Sequence, residues 1–260
     1  MTVASRRVLP GFGLGLGTTV LYLALMVLIP LGAAFWKAAG LGWGPFFDAI
    51  GSDRAIAAYA LTFQTAFLAA AINVVLGSIV AWTLVRYDFF GKKAFLVLAL
   101  LPPTIPLIIM ALAMLGWLSM FGASGMTISI IIAHTVLCAP FAMAVIRLRL
   151  NQMDPNLEPA AWNLGASEWV TMKSVVIPFT MPSIIASLCL TAAVSFDEFA
   201  VAWFVSGLNK TVPVVILEIL TGNIDPQVNA IGSAVFLVSI TLVVIAQMLI
   251  MGRARKSDQS

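Results

Sequence analysis

Long apolar stretches separated by short polar ones constrain the fold of this chain more than any other feature of its sequence. A helix needs about 20 apolar residues to cross the hydrocarbon layer of a bilayer. On that basis we predict a short helix at Ala94–Leu101 and six membrane spans, at Thr18–Trp36, Ala58–Val85, Thr104–Met120, Thr127–Ile146, Thr180–Val205 and Ala230–Met251. The sequence therefore predicts an all-α, polytopic membrane protein.

The composition supports this interpretation. Only 10% of the 260 residues are charged, against about 25% in a typical soluble domain. So few charges cannot cover a water-exposed surface, and lipid must contact much of the protein. Because the spans leave no sequence for a large soluble domain, we predict a single transmembrane domain over residues 1–260.

The positions of the basic residues predict the orientation of the spans. With six spans and a cytoplasmic N-terminus, 11 of the 14 lysines and arginines fall on the cytoplasmic side, as the positive-inside rule requires. These residues are Arg6, Arg7, Arg86, Lys92, Lys93, Arg147, Arg149, Lys173, Arg253, Arg255 and Lys256. The net charge of +3 therefore reflects membrane topology, and we expect no nucleic-acid partner.

The longest polar segment between two spans, residues 151–178, has the pattern of two short helices. Its apolar residues at helical spacing are Leu157, Ala160, Ala161 and Leu164, and they predict one apolar helix face. Gly165 is suited to end the first helix, and Ser167 to cap a second one. Pro159 is compatible with a helix that starts near Asn156, or it kinks that helix. By spacing alone, the pair could simply link two spans.

The same segment carries a pattern that resembles the EAA loop of binding-protein-dependent ABC importer permeases. The matching residues are Glu158, Ala160, Ala161, Gly165 and the dipeptide Ile177-Pro178. In that family the loop is a coupling helix, which docks into a groove of a cytoplasmic ATPase and transmits its closure to the membrane. The resemblance implies a type I (MetI-like) permease fold and an ATPase-coupling role for Glu158, Ala160, Ala161, Leu164 and Gly165. Pro159 and Asn163 depart from the family pattern, which often has acidic residues at these positions.

The resemblance also implies the partners and the location of the chain. The partners would be an ATPase dimer, a second permease subunit, an extracytoplasmic solute-binding protein and membrane lipid. The location would be the bacterial inner membrane, with both termini in the cytoplasm. The chain has no GxxxxGK[ST] motif, so we expect ATP to bind the partner ATPase. We expect no cofactor and no enzymatic activity in this chain.

A polar stripe in the fifth predicted span is the candidate substrate path. Its members, three or four residues apart, are Ser183, Ser187, Thr191, Ser195 and Glu198, with Asp197 beside the last. Ionisable groups in a span usually face a water-filled path or a partner. Two adjacent carboxylates would attract a cation, so we predict that Ser187, Thr191, Ser195, Asp197 and Glu198 line the path. Alternatively, both acids pair with Lys210 or with a partner subunit.

The substrate class is suggested by two different resemblances. Short sequences resemble those of spermidine/putrescine permeases, namely IIAHT at 131–135, SFDEF at 195–199, FVSG at 204–207, TVPV at 211–214 and PQVNA at 226–230. The first third of the chain, especially residues 59–93 together with residues 20–30, looks more like sulfate/molybdate permeases. These resemblances imply a polyamine substrate and a second permease subunit of different sequence, with a sulfate-type oxyanion as the alternative substrate.

Two other classes of membrane protein fit the sequence less well. Secondary transporters commonly contain inverted repeats, and no repeat is evident here. A membrane enzyme needs clustered chemistry-bearing side chains, whereas His134 is the single histidine of the chain. We expect His134 to form an inter-helix hydrogen bond.

Overall fold

The computed structural model describes residues 11–221, 228–238 and 240–241, and these form helices joined by short turns. The helices are α1 (Phe12–Ala39), α2 (Trp43–Ile50), α3 (Asp53–Arg86), α4 (Lys92–Leu100), α5 (Leu107–Met120), α6 (Thr127–Leu150), α7 (Leu157–Asn163), α8 (Glu168–Thr171), α9 (Ile177–Asp197), α10 (Ala200–Val205), α11 (Val212–Thr221) and α12 (Val228–Val238). A 3₁₀ turn, Pro102–Thr104, precedes α5, and a π-helical turn, Met172–Val176, joins α8 to α9. No strand occurs among the described residues, and the predicted all-α fold is confirmed.

Within residues 11–221, 228–238 and 240–241, four helices are long and apolar enough to cross a membrane. They are α1, α3, α6 and the continuous helix Glu168–Asp197, and they coincide with the first, second, fourth and fifth predicted spans. The predicted third span contains the 14-residue helix α5, which is about 21 Å long at 1.5 Å per residue. Prolines at 102, 103 and 106 prevent a regular helix from continuing into α5. The sixth predicted span, Ala230–Met251, begins in α12 and continues beyond the described residues.

The prediction that the fifth span continues to Val205 is wrong. α9 ends at Asp197, and Glu198 has an extended backbone with ψ of 115°. The chain then forms the short helix α10, in which Val201, Ala202 and Val205 are buried. The apolar residues after Glu198 therefore fill the protein interior and do not lengthen the span.

The chain divides into two compact units, residues 1–55 with 218–260 and residues 56–217. In the described part of the first unit, the rings of Phe35 and Phe236 meet edge to face with centroids 6.0 Å apart. An ion pair of 2.5 Å joins Arg54 to Glu218. These contacts tie α1 to α12, and the start of α3 to α11.

The second unit has its core around the contact between α6 and α9. One buried cluster contains Met110, Leu118, Val201 and Val205, and a second contains Leu84, Ile146, Leu150 and Val176. Gly77 of α3 lies directly against α6, since a Cβ placed on it would be 2.9 Å from the Cβ of Ala142. Small residues permit such close helix packing in a membrane, so Gly77 fixes the contact between these two spans.

The apolar segment VPVVILEIL lies between the fifth and sixth predicted spans. It forms α11, and its Val212, Val214 and Val215 are buried. The backbone N–H of Val212 donates to the hydroxyl of Thr62 in α3 over 2.8 Å. The first turn of α11 is therefore attached to a membrane-spanning helix.

Candidate functional site

The predicted helix pair between the fourth and fifth spans forms, with the ends that the sequence indicated. α7 begins after Asn156, which places Pro159 in the first turn, where a backbone donor has no helical partner to lose. Gly165 has a φ of +87°, in the left-handed region that favours glycine, and the next N–H donates to the carbonyl of Ala161 over 3.0 Å. The Ser167 hydroxyl accepts from the N–H three residues later, over 3.4 Å. Local sequence therefore sets both the end of α7 and the start of α8.

Large apolar side chains of this helix pair are exposed. Leu164 is 89% exposed and Trp169 is 72% exposed. We define the α7–α8 patch as Leu157, Trp162, Leu164, Trp169 and Val170, all of which are exposed. Ala160 is exposed and Ala161 half-buried, so a partner can approach the backbone of α7 closely. An exposed apolar patch of this kind marks an interaction site.

Glu158 makes a contact that the sequence did not predict. Its carboxylate forms an ion pair with the guanidinium of Arg86, the last residue of α3. The two side chains are only 12% and 20% exposed, and the same guanidinium nitrogen lies 3.4 Å from the sulfur of Met153. Glu158 was predicted to couple this chain to an ATPase, and the structure places its carboxylate against a membrane-spanning helix of its own chain.

A cavity of about 620 Å³ lies beside this ion pair. Its wall includes Trp82, Tyr87, Trp162, Glu168 and Trp169 as well as the ion pair. The rings of Trp82 and Tyr87 meet edge to face at 5.3 Å between centroids. The end of α3 and the α7–α8 pair are therefore separated by open space, which the Arg86–Glu158 contact bridges.

The polar stripe of α9 lies inside the protein. Ser187, Thr191 and Ser195 are buried, and α9 packs against α6. The Thr191 hydroxyl donates to the carbonyl of Ser187 over 2.7 Å, and the Ser195 hydroxyl lies 2.7 Å from Nδ1 of His134 in α6. These three residues face the packed interior of this chain, and their lining of a substrate path stays a prediction. His134 makes the inter-helix hydrogen bond expected of it.

The two predicted path acids occupy different environments. Glu198 is buried, and its Oε1 accepts the N–H of Val201 over 2.8 Å, which caps the first turn of α10. Asp197 is exposed. The ammonium of Lys210, a predicted partner of these acids, lies 5.3 Å from the ring centroid of Trp203. Of the two carboxylates, that of Asp197 is therefore the one accessible to a ligand or a partner chain.

Two polar residues of α3 were missed by the sequence reasoning. Asn73 is completely buried, and neither its amide oxygen nor its amide nitrogen has a hydrogen-bond partner within the described part of the chain. Asn73 could have been noticed in the sequence, because it is a polar amide side chain inside an apolar run. Arg86 was used only to predict the orientation of the spans, because nothing in the sequence pairs it with a residue far along the chain.

Among the described residues, no three side chains of the metal-ligating types lie close enough to hold a metal ion. Both cysteines are free, with Cys138 buried and Cys189 exposed. The features that bear on function are therefore the α7–α8 patch, the Arg86–Glu158 ion pair and the acids after α9.

Residues 73–255 match a protein family described as the inner membrane component of binding-protein-dependent transport systems. The chain belongs to this family. The match includes the end of α3 from Asn73 to Arg86, the α7–α8 pair and α9, so the helix pair with the EAA-type pattern occurs inside the family region. The chain is thus a permease subunit of a binding-protein-dependent ABC importer, and a membrane protein.

Curated relatives of two kinds match most of the chain. The sulfate transport system permease protein CysT of Escherichia coli K12 is 33% identical over 79% of this chain and 78% of its own length. The spermidine/putrescine transport system permease protein PotC of Haemophilus influenzae is 30% identical over 82% of this chain and 83% of its own. Each of the two resemblances seen in the sequence therefore extends over most of the chain.

Solved structures show the same fold. A bacterial ABC transporter involved in the import of the acidic polysaccharide alginate aligns with a TM-score of 0.71 at 16% identity, covering 92% of this chain and 94% of that one. The MetNI methionine ABC transporter aligns with a TM-score of 0.57 at 19% identity, covering 79% and 95%. The fold is that of the type I importer permeases.

Proposed function

We propose that this permease subunit docks on a cytoplasmic ATPase through the α7–α8 patch. The observation that carries this proposal is the exposure of Leu164 and Trp169 on a helix pair that leads directly into the continuous helix ending at Asp197. An apolar patch exposed on the chain alone becomes buried when a partner covers it. Movement of that partner would then act on the start of a membrane-spanning helix.

The docking residues on the permease side are Ala160, Ala161, Leu164 and Gly165. The small side chains of the two alanines let the backbone of α7 approach its partner, and Gly165 allows the sharp turn between the helices. Glu158 has a different role, because its carboxylate forms an ion pair with Arg86. ATP hydrolysis takes place on the partner, and a second permease subunit completes the path between the binding protein and the cytoplasm.

For the substrate, we propose an oxyanion of the sulfate class. The prediction of a polyamine relied on short sequences that resemble spermidine/putrescine permeases and on two adjacent carboxylates in the path. The carboxylate of Glu198 caps α10, which weakens the second of these arguments. The sequence identity to the sulfate permease, 33%, is higher than the 30% identity to the spermidine/putrescine permease, and this also favours an oxyanion. An oxyanion does not require a lysine or arginine inside a span, since hydroxyl, amide and backbone N–H donors can bind it.

A polyamine is the second candidate, and the exposed carboxylate of Asp197 favours it. A carboxylate next to a path supplied by two subunits would attract a polycation. The 30% identity to a spermidine/putrescine permease also supports this candidate.

Uptake measurements distinguish the two candidates. The chain, its ATPase, its partner permease and its binding protein would be expressed in a bacterial strain that lacks its own sulfate and polyamine importers. We expect labelled sulfate to accumulate, and excess spermidine not to compete. Asp197→Asn should leave sulfate uptake within about twofold of the wild type. Accumulation of spermidine without sulfate, reduced by Asp197→Asn, would establish the second candidate instead.

A further inference from the structure

The Arg86–Glu158 ion pair joins the helix that carries the docking residues to a helix that spans the membrane. α7 has no buried residue, so few packing contacts hold it in place. The ion pair itself is mostly shielded from water, with side-chain exposures of 20% for Arg86 and 12% for Glu158. Charge pairs with this degree of burial interact more strongly than pairs on an open surface. The contact is therefore a firm attachment on an otherwise loosely held helix.

α3 is suited to carry a displacement over a long distance. It is one uninterrupted helix without proline from Asp53 to Arg86, and the part between Thr62 and Arg86 is about 36 Å long at 1.5 Å per residue. Near its middle, Gly77 packs tightly on α6. Near its other end, the Thr62 hydroxyl holds the first turn of α11. A shift of Arg86 therefore moves a stiff element with contacts at both ends.

We propose that the Arg86–Glu158 ion pair is the tether through which movement of the coupling helix α7 reaches α3, separately from the route through α8 and α9. Both residues are positioning residues, since neither needs to contact the substrate or the ATPase. The cavity between the end of α3 and the helix pair gives α7 room to move, and makes a specific bridge necessary. This inference rests on the proposed docking of α7 on an ATPase.

The test compares single and exchanged charges in the complete transporter. Arg86→Gln and Glu158→Gln each remove one charge, and Arg86→Glu combined with Glu158→Arg restores a pair with opposite polarity. The matched control is Asp88→Asn, which removes the nearby ion pair between Asp88 and Lys92, whose side chains are 98% and 28% exposed. Three quantities are measured for each variant, namely ATPase co-purified per permease, ATP hydrolysed, and labelled sulfate and spermidine taken up by cells.

We expect each single variant to retain its ATPase and to hydrolyse ATP, while uptake per ATP hydrolysed falls at least tenfold. The exchanged pair should recover at least a third of wild-type uptake, and the Asp88→Asn control should match the wild type. The tether is refuted if single variants transport normally, if the exchange restores nothing, or if the single variants lose the ATPase. Failure of the wild-type chain itself to retain an ATPase would instead refute the proposed docking function.

Discussion

The tight contact between Gly207 and Gly125 gives a prediction whose size follows from the structure. A Cβ added to Gly207 would lie 2.6 Å from the Cα of Gly125 and 2.8 Å from its carbonyl oxygen. The N–H of Gly125 donates to the carbonyl of Val205 over 3.1 Å, so the two turns cannot easily separate. Gly207 also has a φ of +61°, which a residue with a Cβ adopts at a cost of about 1–2 kcal/mol.

Gly207→Ala should therefore lower the free energy of unfolding through both backbone strain and overpacking. Overpacking typically costs about 1–3 kcal/mol, so the total loss in free energy of unfolding is about 2–5 kcal/mol. Gly122 provides the matched control, because its φ is +66° and an added Cβ would meet nothing within 4 Å. Gly122→Ala should lose only the strain component, about 1–2 kcal/mol.

The assay heats the detergent-solubilised protein to a series of temperatures and measures the fraction that stays monodisperse. The midpoint of that curve is the apparent melting temperature. At about 2–4 °C per kcal/mol for a chain of this size, Gly207→Ala should melt several degrees below Gly122→Ala, and both below the wild type. Equal melting temperatures for the two variants would contradict a costly contact between Gly207 and Gly125, because backbone strain alone would then explain both losses.

Three further predictions concern docking, capping and helix packing. Leu164→Glu places a charge in the α7–α8 patch and should reduce co-purified ATPase at least tenfold, with normal membrane insertion measured by immunoblot. Glu198→Ala removes the cap of α10 and should cost about 1–2 kcal/mol, seen as a lower melting temperature. Gly77→Leu forces α3 away from Ala142 and should lower the yield of folded protein, measured by size-exclusion chromatography.

Each of these variants has a control elsewhere in the chain. Leu208→Glu changes another highly exposed leucine, and equal ATPase loss in Leu208→Glu and Leu164→Glu would contradict a specific docking patch. Asp197→Ala removes the exposed neighbour of Glu198, and it should leave the melting temperature unchanged. Gly116→Leu changes a glycine of α5 that has open space around it, so a yield as low as that of Gly77→Leu would argue against the close α3–α6 contact.

Features encoded by neighbouring residues could be predicted from the sequence. The apolar runs located the long helices, because bilayer thickness fixes the length of a spanning helix. The end of α7 and the start of α8 followed from Gly165 and Ser167, since each acts on backbone groups within a few residues of itself. The pattern of this helix pair also led to the correct family.

Features that depend on contacts between distant segments could not be predicted. A polar stripe on α9 shows that one face is polar, but hydroxyls such as that of Thr191 bond to their own helix and then pack against a neighbour. The end of α9 at Asp197 depends on Glu198 capping α10, within an apolar run that hydropathy treats as continuous. The pairing of Arg86 with Glu158 requires knowing which end of α3 lies beside α7.

The energy source of uptake distinguishes an ATP-driven importer from an ion-driven transporter. Membrane vesicles containing this chain, its ATPase, its partner permease and its binding protein would be supplied with labelled sulfate or labelled spermidine. We predict that uptake requires ATP, disappears when the ATPase carries a substitution that prevents hydrolysis, and continues when an uncoupler collapses the ion gradients. Uptake that continues without ATP and stops with the uncoupler would contradict an ATP-driven importer.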